Sequence, residues 1–321
     1  MPESELPLRL EMKLFFNIYV NFIGKIALYV KCSIYRKEIR MQIIENLILD
    51  EERALYAAKD VVIRNCTFAG PADGESALKE CRRIRTEHCH MELRYPYWHS
   101  EQVEMDDITM TETCRAALWY CSDVTIQNSR LGGIKALREC KDVTVKDTDI
   151  VSTEWGWYCN RIRMSHCRLT AEYAFLNSKD VAIDHLDMKG KYSFQYMENV
   201  EIRDSYLDTK DAFWHSKNVT VVNSVIKGEY LAWYSEGLHL INCKIIGTQP
   251  LCYAKNLVLE NCEMIDTDLA FENSDVNATI QGHIDSVKNP HKGRIEADSI
   301  GEILIDENRW SDGKYEILVR K

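Results

Sequence analysis

The sequence predicts an all-β protein that folds as a right-handed parallel β-helix of about twelve coils, each of 19 residues with three short strands. Three observations support this prediction. An apolar pair recurs every 19 residues, a turn-forming residue follows it at a fixed position, and no segment keeps the 3.6-residue period of an amphipathic helix. The column that starts the coils contains Gln42, Val61, Ile84, Val103, Val124, Val143, Ile162, Val181, Val200, Val219, Leu238, Leu257 and Val276.

Each coil contains three segments with strand character. In the first, apolar residues such as Val143 and Val145 flank a polar residue, which is typical of a strand with one buried face. A small residue and, two places later, an apolar residue then indicate a second strand. The third segment has the form Ala-apolar-aromatic-x-small, as in 117–121 and 212–216. Three strands separated by three bends predict a triangular coil.

The residue two places after the apolar pair is asparagine, aspartate or histidine in every coil. These types tolerate a positive φ better than other non-glycine residues, so a tight turn is expected there. Stacked copies would form a ladder of polar side chains, which we interpret as a structural device. The column consists of Asn46, Asn65, His88, Asp107, Asn128, Asp147, His166, His185, Asp204, Asn223, Asn242 and Asn261.

The repeat divides the chain into an N-terminal extension at 1–40, a parallel β-helix at 41–276 and a C-terminal cap at 277–321, where the pattern fades. Polar residues interrupt the apolar stretch 14–30, which makes it a poor signal peptide and a poor membrane span. Three interpretations of 1–40 stay open: an upstream in-frame extension with the true start at Met41, an amphipathic cap on the first coil, or a weak membrane anchor.

Composition excludes several classes of function. A formal net charge of -10, without a basic stripe after the first forty residues, argues against binding to nucleic acid. The twelve cysteines lie at repeat positions, and Cys121, Cys140 and Cys159 share one column that we expect to be buried. Free thiols favour a reducing, cytoplasmic location. The run 88–90, His-Cys-His, is the only local metal-like motif, and since its positions belong to the repeat we expect neither a metal nor a cofactor.

The coil motif Val-x-Ile-x-Asn-Ser/Cys-x-Leu resembles the pectin-lyase-like superfamily of right-handed parallel β-helices. Within it, the chain is similar to the bacterial family known as domain of unknown function 3737, over about residues 41–310 and including the tail segments 289–295 and 306–310. The resemblance implies the fold, and it brings no established active site.

The characterised enzymes of that superfamily are polysaccharide lyases, with acidic Ca²⁺ ligands and a basic proton acceptor, and hydrolases, with clustered aspartates and a Gly-His-Gly motif. This sequence lacks Gly-His-Gly. Its pair Asp106-Asp107 contains a turn residue and an exposed neighbour, and the arginines of 83–85 and 161–163 flank an inward isoleucine. Whether the protein is an enzyme therefore stays open, and no catalytic residue is assigned.

Two neighbouring columns of the third segment form the candidate binding face. The first is rich in tryptophan and also contains Tyr56, Lys79, Arg138, Leu176, Gln195, Cys252 and Phe271. Strict strand alternation would turn one column inward, whereas charged residues in both columns argue that both face solvent. A bend between them would resolve this conflict. The candidate residues are Trp98, His99, Trp119, Tyr120, Glu139, Trp157, Tyr158, Trp214, His215, Trp233 and Tyr234.

Two interpretations of these aromatic residues remain. They could stack coil on coil and serve only stability, as neighbouring strands do. They could instead form a long shallow groove whose rings and polar groups bind carbohydrate. The sequence thus predicts a protein that binds or acts on carbohydrate, with a noncatalytic structural or protein-interaction scaffold as the alternative. A membrane partner is not expected, and the oligomeric state is not determined.

Overall fold

A computed structural model of the chain describes residues 41–307 and 313–320, and every regular element in these residues is a β-strand. One column of parallel strands runs through the whole described part. Its strands are Gln42–Glu45, Lys59–Arg64, Arg82–Glu87, Glu101–Asp106, Ser122–Gln127, Lys141–Lys146, Asn160–Ala171, Lys179–Lys191, Glu198–Arg203, Lys217–Val222, Glu236–Ile241, Leu257–Ile265, Asp275–Gln281, Lys292–Ala297 and Tyr315–Val319.

The register of this column confirms the predicted repeat. Val143 pairs with Val124 on one side and with Ile162 on the other, so each step covers 19 residues. Toward the N-terminus the pairing runs from Val103 through Ile84 and on to Gln42 along the predicted column. The chain is therefore a parallel β-helix of about 14 turns, close to the twelve coils expected.

The second and third segments are shorter. In the long strands Asn160–Ala171, Lys179–Lys191 and Leu257–Ile265 the first and second segments are continuous, and elsewhere the second segment is a separate strand. These strands are Thr67–Phe68, His90–Met91, Thr109–Met110, Arg130–Leu131, Asp149–Val151, Tyr206–Lys210, Val225–Lys227 and Lys244–Ile246. The third segment is a strand in four coils and a turn in most others; its strands are Leu118–Trp119, Leu137–Arg138, Glu154–Trp157 and Tyr173–Ala174.

The core lies inside the coils, and alternate residues of each first strand point into it. Val143 and Val145 are buried, and Thr144 between them is exposed. Phe175, Phe194 and Phe213 form an internal stack with ring centroids 5.2 and 4.9 Å apart. This stack fills the core beneath the third segment of three successive coils.

The turn column has the predicted conformation, because its residues from Asn46 to Asn261 have φ between 47° and 60°. Its side chains also form the predicted ladder. Asn223 Nδ2 donates to Asp204 at 3.2 Å, Asn242 Nδ2 donates to Asn223 at 3.1 Å, and Asn261 Nδ2 donates to Asn242 at 3.0 Å. Each amide accepts from one neighbouring coil and donates to the other, so the ladder links successive coils along the axis.

Pairing of the first strands continues beyond Val276 into the segment expected to be a cap. Val276 pairs with Gly293 and Gly293 with Tyr315, which gives steps of 17 and 22 residues in place of 19. A separate two-stranded sheet joins His283–Lys288 to Ser299–Leu304. The stack thus ends in coils of unequal length. The predicted extension at 1–40 lies outside the described residues. Within the described ranges, no helix is long and apolar enough to cross a membrane.

Candidate functional site

The backbone explains how both columns of the third segment reach solvent. From Ala57 to Tyr253 the second column is in the left-handed conformation, as shown by His99 at φ 61°, Tyr120 at 57°, Tyr158 at 55° and Tyr234 at 59°. A left-handed residue reverses the local direction of the chain, so neighbouring side chains no longer alternate between inside and outside. This is the bend that the charges in both columns required. We call the two columns together the aromatic face.

The two columns differ in exposure. The tryptophans of the first column, Trp98, Trp119, Trp157, Trp214 and Trp233, are half-buried. In the second column, His99 and His215 are exposed, and so are Tyr120, Tyr158 and Tyr234, with 44%, 46% and 48% of their surface accessible. Glu139 is half-buried. The second column is therefore the part of the aromatic face that a ligand can reach.

The tryptophan rings stack on one another along the axis. Trp98 and Trp119 have centroids 5.7 Å apart with planes 14° apart, and Trp214 and Trp233 are 5.5 Å and 5° apart. The outer ring face of Trp98 is covered by the ammonium of Lys79, which lies 4.3 Å from its centroid. In the pair Trp98 and Trp119, stacking, Lys79 and the guanidinium of Arg138, which lies 5.5 Å from the Trp119 centroid, occupy the flat faces on which a sugar would stack.

Hydrogen bonds fix three of these indoles in place. Trp157 and Trp214 each donate Nε1–H to a backbone carbonyl 16 residues later at 2.6 Å, and Trp233 does the same at 3.0 Å. Each acceptor lies in the following coil, in the bend just before its third segment. Each indole therefore connects two coils. These contacts support the interpretation that the tryptophans serve stability.

Arg138 interrupts the tryptophan column and organises its N-terminal half. Its guanidinium lies 5.5 Å from the ring centroid of Trp119 and 5.7 Å from that of Trp157, so it bridges two indoles by cation–π contacts. Its Nε donates to Glu139 at 3.1 Å. Partial burial raises the pKa of the Glu139 carboxyl, but hydrogen bonds from Arg138 and Tyr120 outweigh it and lower the pKa below its usual value. Glu139 is thus held as a paired carboxylate.

The C-terminal half of the second column is a continuous stack of rings, exposed at Tyr196, His215 and Tyr234 and half-buried at Tyr253. Tyr196 and His215 have centroids 4.9 Å apart, His215 and Tyr234 are 5.1 Å apart, and Tyr234 and Tyr253 are 5.0 Å apart. The planes of these pairs differ by 17° at most. Tyr196 and Tyr253 complete a row in which each coil contributes one ring with a polar tip. The candidate residues named from the sequence omitted both, although both lie in the predicted column.

The first column does not face solvent along its whole length. Cys252 and Phe271, which the 19-residue spacing assigns to it, are fully buried. Phe271 has φ 66° and is equivalent to Phe213 and Leu251, which are buried and have the same left-handed conformation. The shift arises because one extra residue separates Leu251 from Phe271. Its assignment to the exposed column was therefore wrong. The aromatic face ends near Tyr253.

The chain matches the family described as protein of unknown function (DUF3737) over residues 42–318. This chain belongs to the DUF3737 family. No curated protein matches it. Among solved structures, this DUF3737 protein is similar at 10% identity to a surface adhesin of Streptococcus pneumoniae, covering 76% of this chain and 75% of that one with a TM-score of 0.36.

Two further solved structures have the same general likeness. The A-module of a mannuronan C-5 epimerase from Azotobacter vinelandii is 9% identical, with 86% of this chain and 88% of that one covered and a TM-score of 0.36. The catalytic domain of an α-1,3-glucanase of family GH87, in complex with nigerose, is 11% identical, with 88% and 64% covered and a TM-score of 0.24. At such identities and scores, these likenesses assign no function to the DUF3737 chain.

The other side-chain groups singled out in the sequence do not converge on one point. Cys89 is buried and donates its thiol proton to backbone oxygens, whereas His88 Nδ1 lies 2.7 Å from Asp107 and His90 Nε2 lies 2.9 Å from Glu92. Asp106 accepts from Asn128 at 2.9 Å. The carboxylates and imidazoles of this region of the DUF3737 protein are therefore engaged in separate pairs.

The cysteines described by the structure are all buried and none forms a disulfide. Cys121, Cys140 and Cys159 stack as predicted: the amide of Cys121 contacts Cys140 Sγ at 3.4 Å, and the amide of Cys140 contacts Cys159 Sγ at the same distance. Burial raises the pKa of the Cys81 thiol to about 11 and that of Cys114 to about 12. A thiol with such a pKa is almost wholly protonated near neutral pH and reacts slowly.

Proposed function

We propose that this DUF3737 protein is a noncatalytic rod that binds an extended carbohydrate chain along its axis. One observation carries the proposal: from Asn177 to Tyr253 the second column presents one aromatic or hydrogen-bonding side chain per coil, exposed except at the half-buried Tyr253. Coils stack about 4.8 Å apart, a spacing comparable to the length of one sugar in an extended chain. Each coil can then contact one sugar.

The contacts available on this row are polar tips and ring edges. Tyrosine hydroxyls, histidine nitrogens and the Asn177 amide can exchange hydrogen bonds with sugar hydroxyls, and the exposed edges supply apolar surface beside them. Because the tryptophans are half-buried and stacked or hydrogen-bonded between coils, the first column acts as the support and the second column as the contact surface.

The charges of the face favour binding over chemistry. Glu139 is paired with Arg138, and Glu154 lies 3.8 Å from Lys135 and 3.9 Å from Arg138. A general acid requires a carboxyl whose pKa is raised toward neutrality, and the pKa of Glu139 is lowered.

A protein-interaction scaffold is the second candidate, since the stacked and hydrogen-bonded tryptophans are accounted for by stability alone.

The proposal is tested by screening the full chain against a glycan array together with a panel of neutral and acidic polysaccharides. The variants His215→Asn and Tyr234→Asn remove the row's rings and keep its backbone, because Asn177 occupies the same left-handed position naturally at φ 56°. We expect the double variant to melt like the wild type and to bind the best polysaccharide at least about tenfold more weakly, the equivalent of about 1.4 kcal/mol.

The control is Asn223→Asp in the turn column of the same coils, which removes the amide hydrogen bond to Asp204 and leaves the second column untouched. It should leave binding unchanged. Failure of every glycan to bind the wild type, or equal binding by the double variant, would leave the scaffold as the better interpretation.

We also propose a reducing, cytoplasmic location. The cysteines that the structure describes are buried and unpaired, which supports this proposal. Unpaired thiols are typical of a reducing compartment, whereas disulfides form and persist in an oxidising one. Intact-mass analysis of protein taken from cells under thiol-blocking conditions should show no disulfide. A substantial disulfide-linked fraction would contradict this location.

A further inference from the structure

Two histidines lie next to each other in the turn column. This column joins the first and second segments, whereas the aromatic face is formed by the third segment. His166 and His185 have φ 52° and 51°, and the strands that carry them pair in register on either side, Ser165 with Asp184 and Cys167 with Leu186. Their rings are stacked with centroids 4.7 Å apart and planes 13° apart. Rigid backbone on two adjacent coils therefore holds two imidazoles side by side.

A carboxylate completes this group. Asp184 Oδ2 lies 2.9 Å from His185 Nδ1, and one ligand atom from each of His166, Asp184 and His185 lies within 4.8 Å of the other two. Among the residues that the structure describes, no other set of three histidine, cysteine or carboxylate side chains meets this condition. His166 and His185 border a groove of about 570 Å³ that is open to solvent. Asp184 lies at its edge, within reach of both imidazoles.

We infer that His166, His185 and Asp184 form a binding site for a divalent transition metal of the imidazole-preferring class, such as Zn²⁺ or Ni²⁺. Two imidazoles and one carboxylate suit these ions, whereas Mg²⁺ and Ca²⁺ prefer oxygen ligands alone. Metal–nitrogen bonds of 2.0–2.1 Å in a tetrahedral site place two nitrogens about 3.4 Å apart. Exposed side chains reach this separation by rotating about χ1 and χ2, since 52% of the His185 side chain is accessible.

The flanking coils favour a cation at this place. The residues that precede and follow the two histidines in the turn column are Asp147 and Asp204, so a carboxylate lies one coil away on each side, that of Asp147 being also paired with Lys146 at 3.5 Å. Water can fill the remaining coordination position, because the group is on the surface.

The chain also supplies its own control. His88 occupies the same turn column, is exposed and lies 2.7 Å from a carboxylate, but its neighbour in the ladder is Asp107 and not a second histidine. A metal bound by scattered surface histidines would depend on His88 as much as on His166. A metal held by the pair would not.

Isothermal titration of the full, tag-free chain with Zn²⁺, Ni²⁺ and Mg²⁺ tests the inference. The variants are His166→Asn, His185→Asn and, as control, His88→Asn; asparagine is the natural residue of this column in other coils, so the fold is kept. We expect one Zn²⁺ or Ni²⁺ per chain, at least about tenfold weaker binding in either of the first two variants, and no change in the third. Asp184→Asn should weaken binding by about 10-fold or more.

Binding should also weaken as the pH falls, because protons compete with the metal for the same ring nitrogens. The inference fails if Zn²⁺ and Ni²⁺ bind no more tightly than Mg²⁺, or if His88→Asn reduces binding as much as His166→Asn does. Since the probe is the metal alone, neither result bears on carbohydrate binding at the aromatic face.

Discussion

Left-handed residues shape the molecule at the residue scale. For a tyrosine this conformation is rare and costs of the order of 1 kcal/mol or more, yet Tyr120, Tyr158, Tyr196 and Tyr234 all adopt it. Ala57 and Asn177 do so at the same corner of other coils, so the requirement comes from the coil geometry and not from any one side chain. Ring stacking between neighbouring coils offsets part of this cost.

A second residue-scale feature is the ion pair of His88. The hydrogen bond to Asp107 is the largest influence on this imidazole and raises its pKa above the usual value. Protonated His88 thus favours the folded state: its contribution is fully present below the pKa of the unfolded chain and is lost as the pH rises through the folded-state pKa. An NMR titration should show a pKa above 6.5 that falls in Asp107→Asn. A titration that is the same in both proteins would contradict the pairing.

Burial sets the cost of removing each tryptophan. Trp155 is fully buried, and Trp155→Ala should lower the free energy of unfolding by about 3–5 kcal/mol. Trp214 is half-buried with one indole hydrogen bond, so Trp214→Ala should cost about 1–3 kcal/mol. Trp119→Ala should behave like Trp214→Ala. Denaturant melts measure all three, and equal losses in Trp155→Ala and Trp214→Ala would mean that the first column belongs to the core.

At the scale of the element, the amide ladder is the clearest coupling between coils. Asn242 donates to Asn223 and accepts from Asn261, and its φ is 52°. Asn242→Ala should therefore lower the free energy of unfolding by about 1–2 kcal/mol through the lost hydrogen bonds and the strained backbone. Asn242→Gly removes the same amide, but glycine adopts a positive φ without strain. Comparing the two variants in denaturant melts therefore separates the contribution of the hydrogen bonds from that of the backbone strain. A neutral Asn242→Ala would show that the exposed ladder contributes nothing.

The first and second segments could be predicted from sequence because their chemistry is distinctive. Alternating apolar residues and an Asn/Asp/His column report directly on burial and on positive φ. The third segment was harder to predict. Its pattern is typical of a strand, but in later coils Phe194 and Phe213 are themselves left-handed, so two such residues lie within three positions and the segment becomes a turn. Nothing in the types Phe, Tyr or Ala indicates this conformation.

The candidate site was predictable only in part for the same reason. The 19-residue spacing located both columns, but the bend that exposes them depends on left-handed tyrosines and histidines that are not recognised as turn formers. The extra residue before Phe271 moved that side chain inside, and an insertion of one residue in an irregular bend has no sequence signal. The pair His166 and His185 was visible in the turn column, and Asp184 directly precedes His185, but the position of Asp184 beside His166 required the strand register, which pairs it with Ser165.

At the scale of the whole molecule, stability comes from neighbouring coils, since each coil pairs only with the one before and the one after it. We expect a chain of residues 41–321 to fold cooperatively with a β-type circular dichroism spectrum, because the described strands from Gln42 onward already pair in register from coil to coil. Thermal melts of the full and shortened chains should have similar midpoints. Aggregation or loss of the β signal in the shortened chain would instead favour the interpretation of 1–40 as a cap.

The regular stacking of coils along the axis is also the basis of the proposed function. A ligand that lies along the second column meets Tyr196, His215, Tyr234 and Tyr253 on successive coils, at nearly constant spacing. A single sugar would contact one coil, whereas a longer chain would contact several at once. Affinity should therefore grow with ligand length.

The most direct test is to titrate the full chain with oligosaccharides of increasing length, from disaccharide to octasaccharide, taken from whichever polysaccharide binds best. If the row binds an extended chain at one sugar per coil, the dissociation constant should fall with each added sugar until about four or five coils are covered, and then level off. The account is contradicted if the disaccharide binds as tightly as the octasaccharide, or if no length of any glycan binds.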